Sequence, residues 1–113
     1  MTYRVVLTPT AREKIFQQAR YLAVEQQTPG TAARWLKRIL TASETLTTMP
    51  RRCPMAPESI YRPYEIRWLG IGDFMLIFTI REESKTVWVL TARSSRQLPK
   101  PQDLPEQESR DDD

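Results

Sequence analysis

Two arginines, Arg93 and Arg96, close the stretch "VWVLTARSSRQLP" (residues 87–99), two serines apart. Arginine stays charged at any physiological pH and presents a planar fork of donors matched to carboxylate or phosphate. Fixed positive charge at the end of an apolar strand therefore points to recognition of an anion. Arg67 and Arg81 are further candidates of the same type, on the two apolar stretches that precede this one. The chain has no histidine, which removes Ser-His-Asp and Cys-His catalysis, paired-histidine nuclease chemistry and histidine-ligated metal sites. Neither GxGxxG nor GxxxxGK[ST] occurs, so no nucleotide-cradling loop is signalled, and no cofactor or metal is expected.

The charge is unevenly distributed. Net charge is +3 over 113 residues. Residues 1–96 hold 15 Lys+Arg against 8 Asp+Glu, or +7, whereas residues 97–113 hold 2 against 6, or −4. A basic body with an acidic end suits an anionic target, an acidic partner, or both. The single cysteine, Cys53, cannot form an intrachain disulfide and reads as a reduced structural thiol. Residues 1–15 contain no apolar run of signal-peptide length, and nothing reaches the roughly 20 apolar residues of a membrane span. A cytoplasmic location with no membrane contact is expected.

These residues need elements to position them. "TYRVVLT" alternates as a first strand, with Tyr3, Val5 and Leu7 on one face. "TPTAREKIFQQARYLAVEQ" starts a helix, capped either by Thr8 with Pro9 in the first turn or by a Thr10–Glu13 capping box. After a break at "QTPGT", a second helix is expected over about residues 31–48, with Ala32, Trp35, Leu36, Ile39, Ser43 and Leu46 as its core-facing stripe. The proline-rich "MPRRCPMAPES" reads as a loop. Three strands follow, "YEIRWL", "FMLIFTI" and "TVWVLTA", joined by the short turns "GIGD" and "REESK". The order β-α-α-β-β-β predicts an α+β fold, a twisted and largely antiparallel sheet with a helical hairpin packed on one face. One domain is expected over residues 1–96, followed by a flexible, acidic, proline-containing tail over 97–113.

Centring the hairpins on "GIGD" and "REESK" sets residue 67 across from about 75, and 75 across from about 91 to 93. Arg67, Met75, Ile77, Thr79, Arg81, Thr91 and Arg93 then share one face. Ile66, Trp68, Phe74, Leu76, Phe78, Trp88 and Leu90 take the other, more aromatic face, expected under the helices. Arg67 and Arg93 would lie two strand spacings apart, roughly 10 Å, a separation suited to a phosphate or carboxylate.

The element order, the N-terminal "VVLTPTAREKI", the "LTTMPRRCPMAPE" loop and the closing "VWVLTARSSRQLP" together resemble the RelE/ParE family. These are toxins of type II toxin–antitoxin modules, also called plasmid stabilisation proteins. The resemblance spans about residues 2–99. It implies a growth-inhibiting toxin neutralised by a cognate antitoxin, with a toxin–antitoxin hetero-oligomer as the held form. It implies one of two targets: DNA gyrase in the ParE-like branch, or mRNA cleaved in the ribosomal A site in the RelE-like branch. Metal-free RNA cleavage needs a base, an acid and cations for the phosphorane. Arg67 matches the arginine early in the sheet region, and Arg93 or Arg96 the basic end of the last strand. No tyrosine or histidine follows Arg96, and the "HGR" common in ParE-like members reads "SSR" here, with Ser94 in the histidine's place. Tyr61, Tyr64 and Lys85 are the remaining RNase candidates, off the family pattern. The ParE-like reading is favoured, with a degenerate, non-toxic binding module as a third possibility.

Overall fold

In a computed structural model of the chain, residues 2–26 and 29–107 are described. The elements run β1 (Arg4–Leu7), α1 (Pro9–Gln26), α2 (Pro29–Glu44), β2 (Arg67–Ile71), β3 (Phe74–Arg81) and β4 (Thr86–Ser94). Short 3-10 turns follow α2 and punctuate the loop before β2. The expected order and class are those observed. The four strands form one sheet in the order β1-β4-β3-β2, antiparallel except where β1 runs parallel to β4. Part of the "QTPGT" break and the terminal "DDD" lie outside the described residues.

Local chemistry explains the helix entry. The Ala11 N–H donates to Thr8 Oγ1 at 3.1 Å, so Thr8 is the cap, and Pro9 occupies the first helical position where a missing N–H costs nothing. Thr8 also ties helix to sheet: its hydroxyl lies 2.9 Å from both the Val89 and Leu90 carbonyls. The helical hairpin covers one sheet face. Ala11 and Ile15 of α1, and Ile39 of α2, are buried with Leu46 just beyond it. They meet Leu76, Phe78, Val87, Val89 and Ala92 from the sheet. Trp35 meets the Phe74 ring edge-on, with centroids 5.0 Å apart.

The second face departs from expectation, and strand register is the reason. The β2–β3 connection is a two-residue turn of Gly72 and Asp73, so Arg67 lies opposite Phe78 instead of residue 75. Gly72 has φ +61°, a left-handed position natural for glycine at the first centre of a tight hairpin. An odd shift in register moves every β2 side chain to the other face. Arg67 therefore lies on the helix side, while Ile66 and Trp68 face away from the helices. In β4 a bulge intervenes: Ile77 pairs Thr91 while Phe78 pairs Val89, leaving Leu90 as the extra residue. Trp88 and Leu90 consequently point away from the helices as well. Phe74, Leu76 and Phe78 do lie beneath the helices, as expected. Met75, Ile77, Thr91 and Arg93 do share the opposite face.

A second core covers that face. Ala56, Ile66, Met75, Ile77, Leu90 and Leu104 are buried together, with Tyr64, Trp68 and Trp88 at the margin. The loop supplies Ala56 and runs along the outer edge of β2. There Ala56 N–H donates to the Ile66 carbonyl at 2.7 Å, and Trp68 N–H to the Pro54 carbonyl at 3.1 Å. An otherwise open strand edge is thus closed. Leu104 comes from the segment expected to be a flexible tail, and over residues 97–107 that expectation is corrected. Leu104 is buried. Arg62 donates to the carbonyls of Pro101, Leu104 and Pro105 at 2.7, 3.0 and 2.9 Å, and the Tyr64 hydroxyl donates to Pro105. Three prolines lower the entropy lost on ordering such a segment, and one apolar side chain anchors it.

Candidate functional site

The end of β4 carries the charge singled out in the sequence, and it is engaged. Arg93 Nε donates to Glu58 Oε2 at 2.6 Å, and a second guanidinium nitrogen reaches Oε1 at 3.2 Å. The third nitrogen donates to the Gln97 carbonyl at 2.7 Å and the Ser94 carbonyl at 3.2 Å. The Glu58 side chain is 1% exposed and that of Arg93 10%. A buried carboxylate needs such a partner, because solvation lost on burial must be replaced by paired charge. Glu58 sits on the 3-10 turn Pro57–Tyr61. The fork thus clips three pieces of chain together: the loop before β2, the end of β4 and the turn at Gln97.

The other candidates are dispersed. Arg67 donates to the Cys53 carbonyl at 2.7 Å and to Glu65 at 3.1 Å, on the sheet face opposite to Arg93. The expected pair of arginines about two strand spacings apart on one face is therefore not formed. Arg81 lies 4.0 Å from Glu83 at the β3–β4 turn. Arg96 is the most exposed of the four, with 85% of its side chain accessible and Asp73 at 3.8 Å. Tyr64 is committed to the Pro105 carbonyl, and Tyr61 is exposed on the loop. Lys85, at the far turn, donates to Glu82 at 2.7 Å and lies over the Tyr3 ring.

Glu82 organises a second ionic cluster that the residue types alone did not reveal. Lys85, Arg51 and the Tyr3 hydroxyl all donate to it. Their hydrogen bonds, that of Lys85 foremost, hold its carboxyl down at about 2. The same contact raises the Lys85 ammonium above its ordinary value. A lysine stabilised in its charged form is a poor base. Cys53 is buried and its thiol is pushed up by desolvation, the reverse of an activated nucleophile. Among the described residues, no group of three metal-ligating side chains comes together. Among the described residues, likewise, no helix is long and apolar enough to cross a membrane.

Sequence reasoning missed Glu58 and Glu82. Glu58 stands 35 residues from Arg93 in a loop, and no spacing rule links them. Glu82 belongs to "REESK", where the acidic pair signals only a polar turn.

The fold and these contacts define a small, basic α+β protein whose conspicuous cations are held in structural ion pairs. The model of the ParE toxin of type II toxin–antitoxin systems matches residues 5–99, and the chain belongs to that family. Among solved structures, it is similar to a chain of the chromosomal ParDE toxin–antitoxin system from P. aeruginosa. That match has a TM-score of 0.67 at 16% identity, covering 82% of this chain and 96% of the other. It is similar also to a chain of the RelBE2 toxin–antitoxin complex from Mycobacterium tuberculosis. There the TM-score is 0.58 at 22% identity, over 83% of this chain and 92% of the other. No curated protein matches the sequence.

Proposed function

We propose that this toxin inhibits growth by binding its target rather than by cleaving RNA, that the target is DNA gyrase, and that a cognate antitoxin neutralises it. The Arg93–Glu58 fork carries this reading. RNA cleavage without a metal needs an uncompensated cation beside the phosphorane and an acid–base pair within reach of it. Arg93 is the cation at the place where the family resemblance implies one, and its charge is balanced by a buried carboxylate. Tyr61, Tyr64 and Lys85 stand on separate segments, with Lys85 held protonated. Arg96 remains as the accessible cation at the end of β4 and is the residue assigned to target contact. The antitoxin reading draws on the two similar structures, both from toxin–antitoxin systems. It draws also on the exposed apolar side chains of the hairpin, Phe16, Tyr21, Val24 and Leu40.

The test is induction of the chain in bacteria, followed by assay of purified protein with gyrase and with translating ribosomes. Expected are growth arrest with a DNA-damage response, and inhibition of supercoiling in the purified system. Fragmented mRNA with gyrase activity intact would overturn the target and favour the ribonuclease. Growth unaffected by induction would mark a degenerate binding module.

A further inference from the structure

Residues 100–107 lie outside the match to the ParE family, which ends at residue 99, and the four-stranded sheet is complete by Ser94. They nonetheless reach back across the molecule. Leu104 is buried on the sheet face away from the helices, among Ala56, Ile66, Met75, Ile77 and Leu90. Arg62 donates to the carbonyls of Pro101, Leu104 and Pro105, and its remaining nitrogen donates to the Tyr61 carbonyl. The Tyr64 hydroxyl donates to Pro105 as well. All three guanidinium nitrogens thus serve main-chain carbonyls. A pocket for one aliphatic side chain, flanked by donors to carbonyls, is the chemistry that holds an extended peptide. Main-chain bonds supply affinity there, and the pocket supplies specificity.

The rest of the segment is loosely seated. The Arg93 bond to the Gln97 carbonyl fixes its near end. Beyond it Leu98 and Lys100 are exposed, as are Gln102 and residues 105–107. Gln97, Lys100 and Asp103 border a cavity of about 320 Å³ shared with Lys14 and Tyr21 of α1, so this stretch lies beside a void. Asp103 approaches Lys14 only to 3.7 Å, outside hydrogen-bond range. One buried leucine and a few bonds to carbonyls are comparable with the entropy lost in ordering the segment, even with prolines at 101 and 105. Closure is therefore weak.

We propose that residues 100–107 are an in-chain peptide ligand, a latch that leaves and re-enters a peptide-binding groove on this face while the domain stays folded. The groove consists of the Leu104 pocket with Arg62 and Tyr64 as its carbonyl-binding donors. Its occupant is this chain's own segment, and Leu98 to Lys100 are the hinge. The short tether from Gln97 keeps the local concentration of that segment high, so weak contacts suffice for closure. With the latch open, the groove accepts the same chemistry in trans: an extended segment with one leucine and free main-chain carbonyls. Any such segment that reaches this face competes first with residues 100–107. The latch stands whichever target the toxin has.

The test uses the isotopically labelled full chain, followed by amide NMR, and the end-blocked peptide "LPKPQDLPEQ" (residues 98–107). In the parent, the Leu104 N–H, bonded to the Pro101 carbonyl at 3.0 Å, should exchange at least about a hundredfold faster than that of Leu76 in β3. Leu104→Ser should release the segment, keep a cooperative melt and lower Tm by a few degrees at most. The peptide should bind that variant saturably, with shifts at Met75, Ile77 and Leu90. It should bind the parent at least about tenfold more weakly, because the tethered segment competes. A peptide carrying the same Leu104→Ser change should bind neither. Exchange of Leu104 as slow as that of Leu76, or a Leu104→Ser chain that no longer folds, would make the segment part of the core and overturn the latch. A folded Leu104→Ser chain that does not bind the peptide, or binds it no better than the parent does, would overturn the groove.

Discussion

Two ionic clusters sit towards opposite ends of β4, and they differ in one variable, access to water. At the end of β4, Arg93 and Glu58 form a closed fork with side chains 10% and 1% exposed. At the opposite end, Glu82 gathers Lys85, Arg51 and Tyr3, and Arg51 continues to Glu65, which also receives Arg67. The Glu82 side chain is 39% exposed, that of Lys85 40% and that of Arg51 45%. Charges and distances are similar in the two places. In the dry pair neither partner can fall back on water, so each depends on the other. In the wet cluster solvent and salt replace most of what any one contact supplies. Arginines of equal appearance in the sequence therefore have unequal roles.

The largest effect expected from breaking this contrast is at Glu58. Glu58→Ala leaves the Arg93 guanidinium buried and unpaired and should cost about 3–5 kcal/mol in urea denaturation. Replacing both partners by apolar residues of similar size, Glu58→Leu with Arg93→Met, should recover most of that loss. A double variant as unstable as the single one would show that the contacts from Arg93 to Ser94 and Gln97 matter more than the pair. Arg93→Ala is accordingly expected to damage folding, and growth inhibition lost in that variant says nothing about target contact.

The wet cluster should respond to acid and salt. The Glu82 carboxyl sits at about 2 in the folded chain, below its value near 4.3 in an unfolded one. A carboxyl depressed by folding stabilises fully above the unfolded value and loses that contribution as pH falls towards the folded one. Stability attributable to Glu82 should thus disappear between about pH 4.3 and about pH 2. Glu82→Gln should flatten that part of the curve measured by thermal melts, and an unchanged acid limb would contradict the role. Arg51→Ala should lower the melting temperature slightly in dilute buffer and not at all in concentrated salt.

The smallest structural effect is expected at Arg96. Its 3.8 Å approach to Asp73 is an exposed pair worth about 0–1 kcal/mol. Arg96→Ala should fold as the parent does while reducing growth inhibition on induction. A folded variant of undiminished toxicity would remove Arg96 from the target contact and leave that face without an assigned cation.

Much of the architecture was legible in the residues. The 3- and 4-residue repeat from Ala32 to Ser43 marks α2, which stops at Glu44, short of the expected 48, with Leu46 in the 3-10 turn that follows; the alternation of "TYRVVLT" marks β1. The apolar run of "FMLIFTI" marks an interior strand, buried from Phe74 to Ile80. Each of these depends on neighbours within a turn or a strand, where spacing along the chain equals spacing in space. Site geometry was legible only in part. Arg96 has few contacts and lies exposed at the strand end where the sequence reading put it. Arg67 was misplaced because a two-residue turn was read as a longer one, and a register error of odd length inverts a face. The bulge at Leu90 inverted Trp88 in the same way, and no residue in "VWVLTA" announces it.

The sequence alone determined the element types and their order, the basic body, the absence of histidine chemistry, and a family resemblance carried by all of these. All are properties of single residues or short windows. Tertiary structure alone decided which arginines are available. Glu58 neutralises Arg93 across 35 positions, Glu65 and a loop carbonyl occupy Arg67, and Leu104 anchors the stretch that composition marked as a loose tail. Such outcomes depend on which distant groups are dried together. The strength of a charge, or of a lone leucine, is set by the water excluded around it, and that is a property of the packed chain rather than of its letters.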